Sequence, residues 1–190
     1  MENKRKIVWA ICGSFCTVAQ NTAVMEKAAS EFEIIPVISE RTASTDTRFG
    51  KAADLIAEIS GICGRKPILT VEDAEPIGPV LKPDLCVIAP ITGNTLAKVT
   101  HGITDSAVTM AVKSTLRCEK PILLSLATND ALGANLQNIG QLAVRKNHFF
   151  VPMKQDDPLN KPTSLVADTS LLYDAIHAAL EGRQLRPLFM

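Results

Sequence analysis

The sequence predicts an α/β protein: a three-layer α/β/α sandwich around a six-stranded, mainly parallel sheet. Three observations predict it. Ile7–Cys12, Leu85–Ala89 and Ile122–Leu126 are near-continuous apolar runs of strand length, the pattern of strands buried on both faces. Between such runs lie stretches with apolar residues at helical spacing, such as Ala52, Leu55, Ile56 and Ile59. Strand and helix patterns alternate along the chain, and parallel strands need such crossovers. The 190 residues suit one domain, residues 1–190, with a substantial core.

Ile7–Cys12 is the first strand, Gly13–Thr17 a turn, and a helix follows over residues 18–30. Phe32–Ile38 is the second strand. Pro36 lacks an N–H, so this strand belongs at an edge or carries a bulge. Residues 40–47 form a polar loop rich in Ser and Thr, with Arg41 inside it and Arg48 just after it. Its hydroxyls and a guanidinium can complete a phosphate site or simply face solvent. The helix over 52–59 stops at Gly61. Residues 67–70 read as a short strand and 71–83, with three prolines, as a long loop. Glu72, Asp73 and Glu75 cluster there without a nearby His or Cys, so no metal site is assigned.

Asp84–Ser106 is the organising stretch. Leu85–Ala89 forms the strand and Pro90 ends it. Thr92, Gly93, Asn94 and Thr95 then make a small polar loop before a helical stretch at 96–99, and Thr104-Asp105-Ser106 caps another helix over 107–116. A strand running into a polar loop at a helix N-terminus is where open α/β sheets bind ligands. This loop offers hydroxyls, backbone N–H groups and one carboxamide, and no nucleophile paired with a base. It suits the edge of a flat polar ring, and equally an ordinary βα turn. Residues 121–126 are a strand, 127–130 cap a helix continuing to about 146, and 149–151 are the last strand. A polar loop at 155–162 precedes the final helix, which carries Leu171, Leu172, Ala175, Ile176, Ala179 and Leu180 on one face and Gly182 at its end. His177, one place from that stripe, reads as structural.

Composition excludes several classes. Twenty basic residues balance twenty acidic ones, leaving no electrostatic footprint for nucleic acid or an acidic membrane. Aromatic residues are scarce, at 4%, so base-stacking platforms are not expected. No apolar run is long enough to span a bilayer. The basic start at 1–6 and the apolar run after it are too short for a signal peptide, and no cleavage site follows. Five cysteines, an odd count, fit reduced thiols in the cytoplasm. Cys12 and Cys16 have no second pair to complete a metal site. There is no GxGxxG and no GK[ST]; Gly13 and Ser14 at a strand-to-helix turn can offer a phosphate backbone donors and the helix dipole, but by themselves they read first as a plain tight turn.

Three segments carry a resemblance. CGSFCT at 12–17 resembles the first phosphate loop of the flavoprotein superfamily of FMN-binding decarboxylases. APITGNTLAKVTHGITDS at 89–106 resembles its second flavin loop, and residues 129–152 sit where its substrate clamp and following helix lie. TDTRFGKA at 45–52, AEPIGP at 74–79 and QDDPLNKPTSLVA at 155–167 narrow the resemblance to the family of dipicolinate synthase B components. The resemblance implies a homo-oligomeric flavodoxin-like or Rossmann-like fold, in trimers or multiples of three. It implies that Gly13, Ser14 and Ser39 face an FMN phosphate and ribityl chain, and that Thr92, Gly93, Asn94 and Thr95 face the ribityl chain and ring edge. It further implies a partner, the A component of dipicolinate synthase, that brings NAD(P). The implied substrate is a small dicarboxylate of the dihydrodipicolinate type, oxidised in the mother cell of a sporulating bacterium. Arg48, Lys98 and Arg117 are candidate donors to its carboxylates; no catalytic residue is assigned.

The chain also departs from the decarboxylases. No His occurs between Phe49 and Val80, where theirs follows the second helix. Ser125–Asn129 lacks the proline and methionine of their clamp, and the cysteine of their flap has no counterpart after Val151. An FMN-dependent decarboxylase and a non-catalytic assembly component with a vestigial flavin cradle are the alternatives.

Overall fold

Apolar runs that cannot face water on either side pair side by side, and the sheet grows from them. The structure, a computed structural model, describes residues 4–190, so the first half of the basic start lies outside the described residues. Strands β1 (Lys6–Ile11), β2 (Glu33–Ile38), β3 (Leu85–Ile91), β4 (Ile122–Thr128) and β5 (His148–Phe150) are all parallel. Their order is β2-β1-β3-β4-β5, the doubly wound order with its switch point between β1 and β3. Every residue of β3 is buried.

Alternate side chains of each strand feed opposite faces. Ile7, Trp9, Ile11, Leu85, Val87 and Leu123 pack under α1 (Phe15–Ala29), α3 (Ala52–Cys63) and α8 (Leu172–Leu180). Val8, Ala10, Cys86, Ile88 and Leu124 pack under α5 (Gly93–His101), α6 (Ala107–Leu116) and α7 (Leu136–Ala143). That is the expected three-layer sandwich. Two further short helices, α2 (Glu40–Ser44) and α4 (Val71–Ala74), lie in segments expected to be loops. Trp9 is fully buried and its indole N–H donates to the Ala89 carbonyl at 3.2 Å, so the one polar atom of the largest core side chain is satisfied. His177 packs against Phe32 and Tyr173 and sits 3.5 Å from Glu31, a structural place on α8.

The sheet has seven strands rather than six. Residues 67–70 form no strand; Ile68 alone bridges Val37, bonding Pro36 and Ile38 on the outer side of β2. Two short antiparallel strands, β6 (Met153–Lys154) and β7 (Leu165–Ala167), flank the polar loop, and β7 pairs with the end of β4. Two and three residues are too few for periodicity to show. Pro90 does not end β3. It needs no N–H there because the register with β4 shifts between Ile88 and Ile91, while its carbonyl accepts from Cys12 N–H at 3.1 Å. The expectation for Pro36 holds: β2 is the end strand of the order.

Other boundaries moved for local reasons. Helix α1 begins at Phe15, ahead of the expected Val18. Helix α3 runs through Gly61 and stops at Gly64, whose φ of +63° a Cβ would disfavour. Residues 71–83 hold α4, capped by Thr70, and a 3₁₀ turn at Glu75–Ile77 that buries Ala74 and Ile77. The helix expected from 127 to 146 is shorter, because β4 continues to Thr128 and a turn precedes α7.

Candidate functional site

The carboxyl ends of β1 and β3 diverge to opposite layers, and a crevice of about 760 Å³ opens between them. Backbone bonds hold its rims together. Cys12 N–H donates to Pro90 O at 3.1 Å, and Ser39 N–H to Ile11 O at 3.0 Å, so the segments after β1, β2 and β3 converge. Gly13, Ser39, Thr92, Asn94 and Thr95 line it, with Arg41 and Lys98 adding positive charge.

The crevice therefore gathers five of the seven expected residues. Ser14 stands just behind the lining. It is the N-cap of α1, yet its side chain accepts no backbone N–H; its hydroxyl lies 3.4 Å from that of Thr17. Gly93 faces the opposite way. A Cβ on it would lie 2.5 Å from Asn135 Nδ2, 2.7 Å from Thr128 Oγ1 and 2.8 Å from Asp130 Oδ1. Those groups form a chain: Thr128 Oγ1 donates to Asp130, as does Asn135 Nδ2, and Asn138 Nδ2 donates to Asn135 Oδ1. Gly93 thus lets α5 close on this network at the end of β4. The four residues 92–95 are also not a loop: Thr92 is the N-cap of α5, accepting from Thr95 N–H at 3.2 Å.

Four helix N-termini lie near the crevice, and they differ in how their free N–H groups are met; that of α2 is capped by Ser39, which accepts from Thr42 N–H at 3.4 Å. That of α5 is capped by Thr92. That of α6 carries a capping box from Ser106 and Thr109, and its Ala107 N–H is taken by Glu40 Oε1 at 2.9 Å, across from α2. That of α1 has no side-chain cap. An anion attracted to a helix start therefore meets a filled place at α2, α5 and α6 and an open one at α1.

Of the three proposed carboxylate donors, only Lys98 lines the crevice, 2.7 Å from Asp105. Arg48 lies on the 45–52 segment with its guanidinium over the Phe49 ring at 4.8 Å. Arg117 lies at the far end of α6 and lines a different hollow. Arg41, at the crevice itself, sits in no ion pair among the described residues. Its place on a short helix capped by Ser39 was the missed signal: Ser39 followed by a helix-compatible run reads as a cap as well as a loop start. None of His101, His148 and His177 lines the crevice. Cys12 lies at its floor, where burial pushes the thiol up to about 11 against smaller downward pulls from Thr95 and Thr92. It is protonated at neutral pH and is no ready nucleophile. Beyond Phe15 a smaller hollow of about 230 Å³ runs between α1 and the 45–52 segment, lined by Val18, Thr47, Phe49 and Leu55 among others.

Comparison with known proteins adds the family. A family model described as Flavoprotein matches residues 1–178. The B component of dipicolinate synthase from Bacillus subtilis (strain 168) is 41% identical over 187 residues, covering 98% of this chain and 94% of that protein. The crystal structure of the B component of dipicolinate synthase from Bacillus halodurans C superposes with a TM-score of 0.90 at 38% identity, covering 98% of this chain and 96% of that one. The FMN-dependent cysteine decarboxylase SpaF superposes with a TM-score of 0.64 at 26% identity, covering 92% and 97%.

Proposed function

The chain belongs to the flavoprotein family, and from that premise we propose that it serves as the B component of a dipicolinate synthase. In this reading it works with an A component that brings NAD(P), and a dihydrodipicolinate-type precursor is oxidised to the aromatic pyridine dicarboxylate. The observation that carries the reading is the near full-length match to two dipicolinate synthase B components, at 41% and 38% identity. The absence of any histidine from the crevice lining, among the described residues, argues against the decarboxylase alternative.

The residues present fit FMN. The crevice volume lies within the range of ligand sites, roughly 300–1,000 Å³. The Gly13 turn is a cradle that a Cβ would fill, meeting Phe15 Cε2 at 3.3 Å and Thr42 Oγ1 at 3.6 Å. In the proposed arrangement the open start of α1 at Gly13 and Ser14 holds the phosphate. Ser39 and Thr92 meet the ribityl hydroxyls, and Asn94 and Thr95 meet the ring edge. A bound flavin supplies a two-electron acceptor, which loss of two hydrogens from a dihydropyridine requires. The chain's own part is to orient the dicarboxylate. Arg41 offers a forked pair of N–H donors suited to one carboxylate, and Lys98, held by Asp105 at 2.7 Å, its remaining ammonium N–H groups to the other.

Homo-oligomeric assembly and residence in the cytoplasm belong to the same proposal. Among the described residues no helix is long and apolar enough to cross a membrane. The test is a visible spectrum of the purified protein, FMN titration into wild type and Asn94→Ala, and dipicolinate formation with and without the A component. Flavin binding weakened by Asn94→Ala, and product only with both components, are expected. No flavin binding to wild type removes the cofactor and leaves a component that assembles without catalysing.

A further inference from the structure

The opposite end of the sheet carries a second constellation. Strand β5 starts at His148, beside Ile122 at the start of β4, so this is the amino end. Two hollows of about 410 and 520 Å³ share Arg145 and His148 as a common wall. Lys146 and Arg186 line the first; Lys113 and Arg117 line the second. Among the described residues no Asp or Glu lines either. None of these five Lys and Arg side chains is in an ion pair among the described residues. In a chain whose twenty basic residues balance twenty acidic ones, that local excess is not a by-product of composition.

The place is built, not a loose fringe of lysines. Arg145 Nη1 donates to Thr100 O at 2.9 Å, fixing the guanidinium while leaving its other N–H groups available. Asn147 takes φ +64° and its Nδ2 donates to Glu119 O at 2.9 Å, which turns the chain so that 145, 146 and 148 surround the hollows. His148 Nδ1 lies 2.8 Å from Lys146 O. Gln184 grips β5 as a strand would: its Oε1 accepts from Phe150 N–H at 2.9 Å and its Nε2 donates to Phe150 O at 2.6 Å. That clamp brings Arg186 to the wall. The neighbouring acids are turned to other use or away: Glu181, next to Gly182 on the rim, pairs with Arg183, and Glu119 adds no atom to either lining.

We propose that these two adjoining hollows, on either side of Arg145 and His148, form a second binding site, for a small multivalent oxyanion carrying two or more phosphate or carboxylate groups. Gathering cations without counter-charges is unfavourable in the free protein, and a bound anion relieves it. Arg145 stands in the shared wall, with Lys146 and Arg186 lining one hollow and Lys113 and Arg117 the other, and cations spread over both suit a ligand with several anionic groups rather than one. His148 is the built-in reporter. Burial foremost, and Arg145 after it, hold its imidazole below the ordinary value, against an upward pull from the Lys146 carbonyl. Lys146 and Arg186 line one hollow with it and Lys113 and Arg117 the other, so an anion bound beside the ring raises its pKa.

The test uses the full-length, flavin-saturated protein with pyrophosphate and, in parallel, malonate, following the His148 ring resonances by NMR. Saturable binding with an upward shift of the His148 titration, weakening with added salt, is expected. Arg117→Gln combined with Arg186→Gln should weaken it by at least about tenfold. Whichever oxyanion binds tighter through these residues identifies the class. No saturable effect on His148 overturns the proposal. So does binding unchanged in the double variant, or binding abolished instead by Ser39→Ala at the other end of the sheet.

Discussion

Replacing Gly13 by alanine separates the fold from the site. The position needs no left-handed backbone, so alanine brings no φ strain. Its methyl would stand 3.3 Å from Phe15 Cε2, 3.6 Å from Phe15 Cζ and 3.6 Å from Thr42 Oγ1. These are close but yielding contacts, since the half-buried Phe15 ring can move by a few tenths of an ångström. Alanine also lowers the entropy of the unfolded chain, which favours folding by about 0.4–1 kcal/mol. The two effects oppose each other, and the net change in stability should stay within about 1 kcal/mol. Binding should fare differently, because the methyl occupies the space through which a phosphate reaches the open N–H groups at the start of α1. Losing one charge-assisted hydrogen bond costs about 1.5–3 kcal/mol, or roughly 10- to 100-fold in affinity. FMN fluorescence quenching gives the affinity and urea unfolding the stability, on the same preparation. An affinity within threefold of wild type, in a variant of unchanged urea midpoint, would place the phosphate elsewhere.

Gly78→Ala should behave in the opposite way, because its Cβ would lie 2.0 Å from the backbone oxygen of Ser114 and 3.0 Å from Cys118 Sγ. The 3₁₀ turn must part from α6, at a cost of about 3 kcal/mol or more, or roughly 6–12 °C in Tm at this size; a Tm within 2 °C of wild type would refute the packing. Burial raises Cys12 and Cys63 to about 11 and Cys86 to about 12, above the ordinary 9.0. The unfolded chain then loses these protons first as pH rises, so stability is full below pH 9 and falls between pH 9 and 12; a urea midpoint flat from pH 8 to 11 would contradict this. Glu40→Ala should lower stability by about 1 kcal/mol and open the start of α6, so that inorganic phosphate raises the variant's Tm more than the wild type's. Equal phosphate response in both would show that Glu40 does not hold that place.

Periodicity made the central sheet legible because β1, β3 and β4 are buried on both faces and must be apolar throughout. The same reasoning pointed to the crevice, since strand order alone opens one at the switch point. It stopped short where the signal is not local. Residues 67–70 look like a strand, but only Ile68 meets a neighbour, and that depends on where β2 ends the sheet. Gly93 reads as loop flexibility, yet its constraint is Asn135, more than forty positions away along the chain. Arg41 and Arg48 read alike beside the same polar loop, and only the fold turns one into the crevice and lays the other over Phe49.

The two ends of the sheet differ in charge, and the difference decides what each can hold. At the carboxyl end cations and anions are interleaved: Glu40 is spent on Ala107 N–H, Asp105 on Lys98, and Arg41 is left. Such a site gains little from charge alone. The mononucleotide proposed for it, with one phosphate and a flat ring, would be selected by shape and by donors at fixed places. At the amino end Arg and Lys side chains line both hollows, with no Asp or Glu among the described residues there. That end selects by charge number and loses affinity as salt screens it over roughly 10 Å. Salt therefore distinguishes the two: flavin affinity should hold when ionic strength rises, while pyrophosphate affinity at His148 falls.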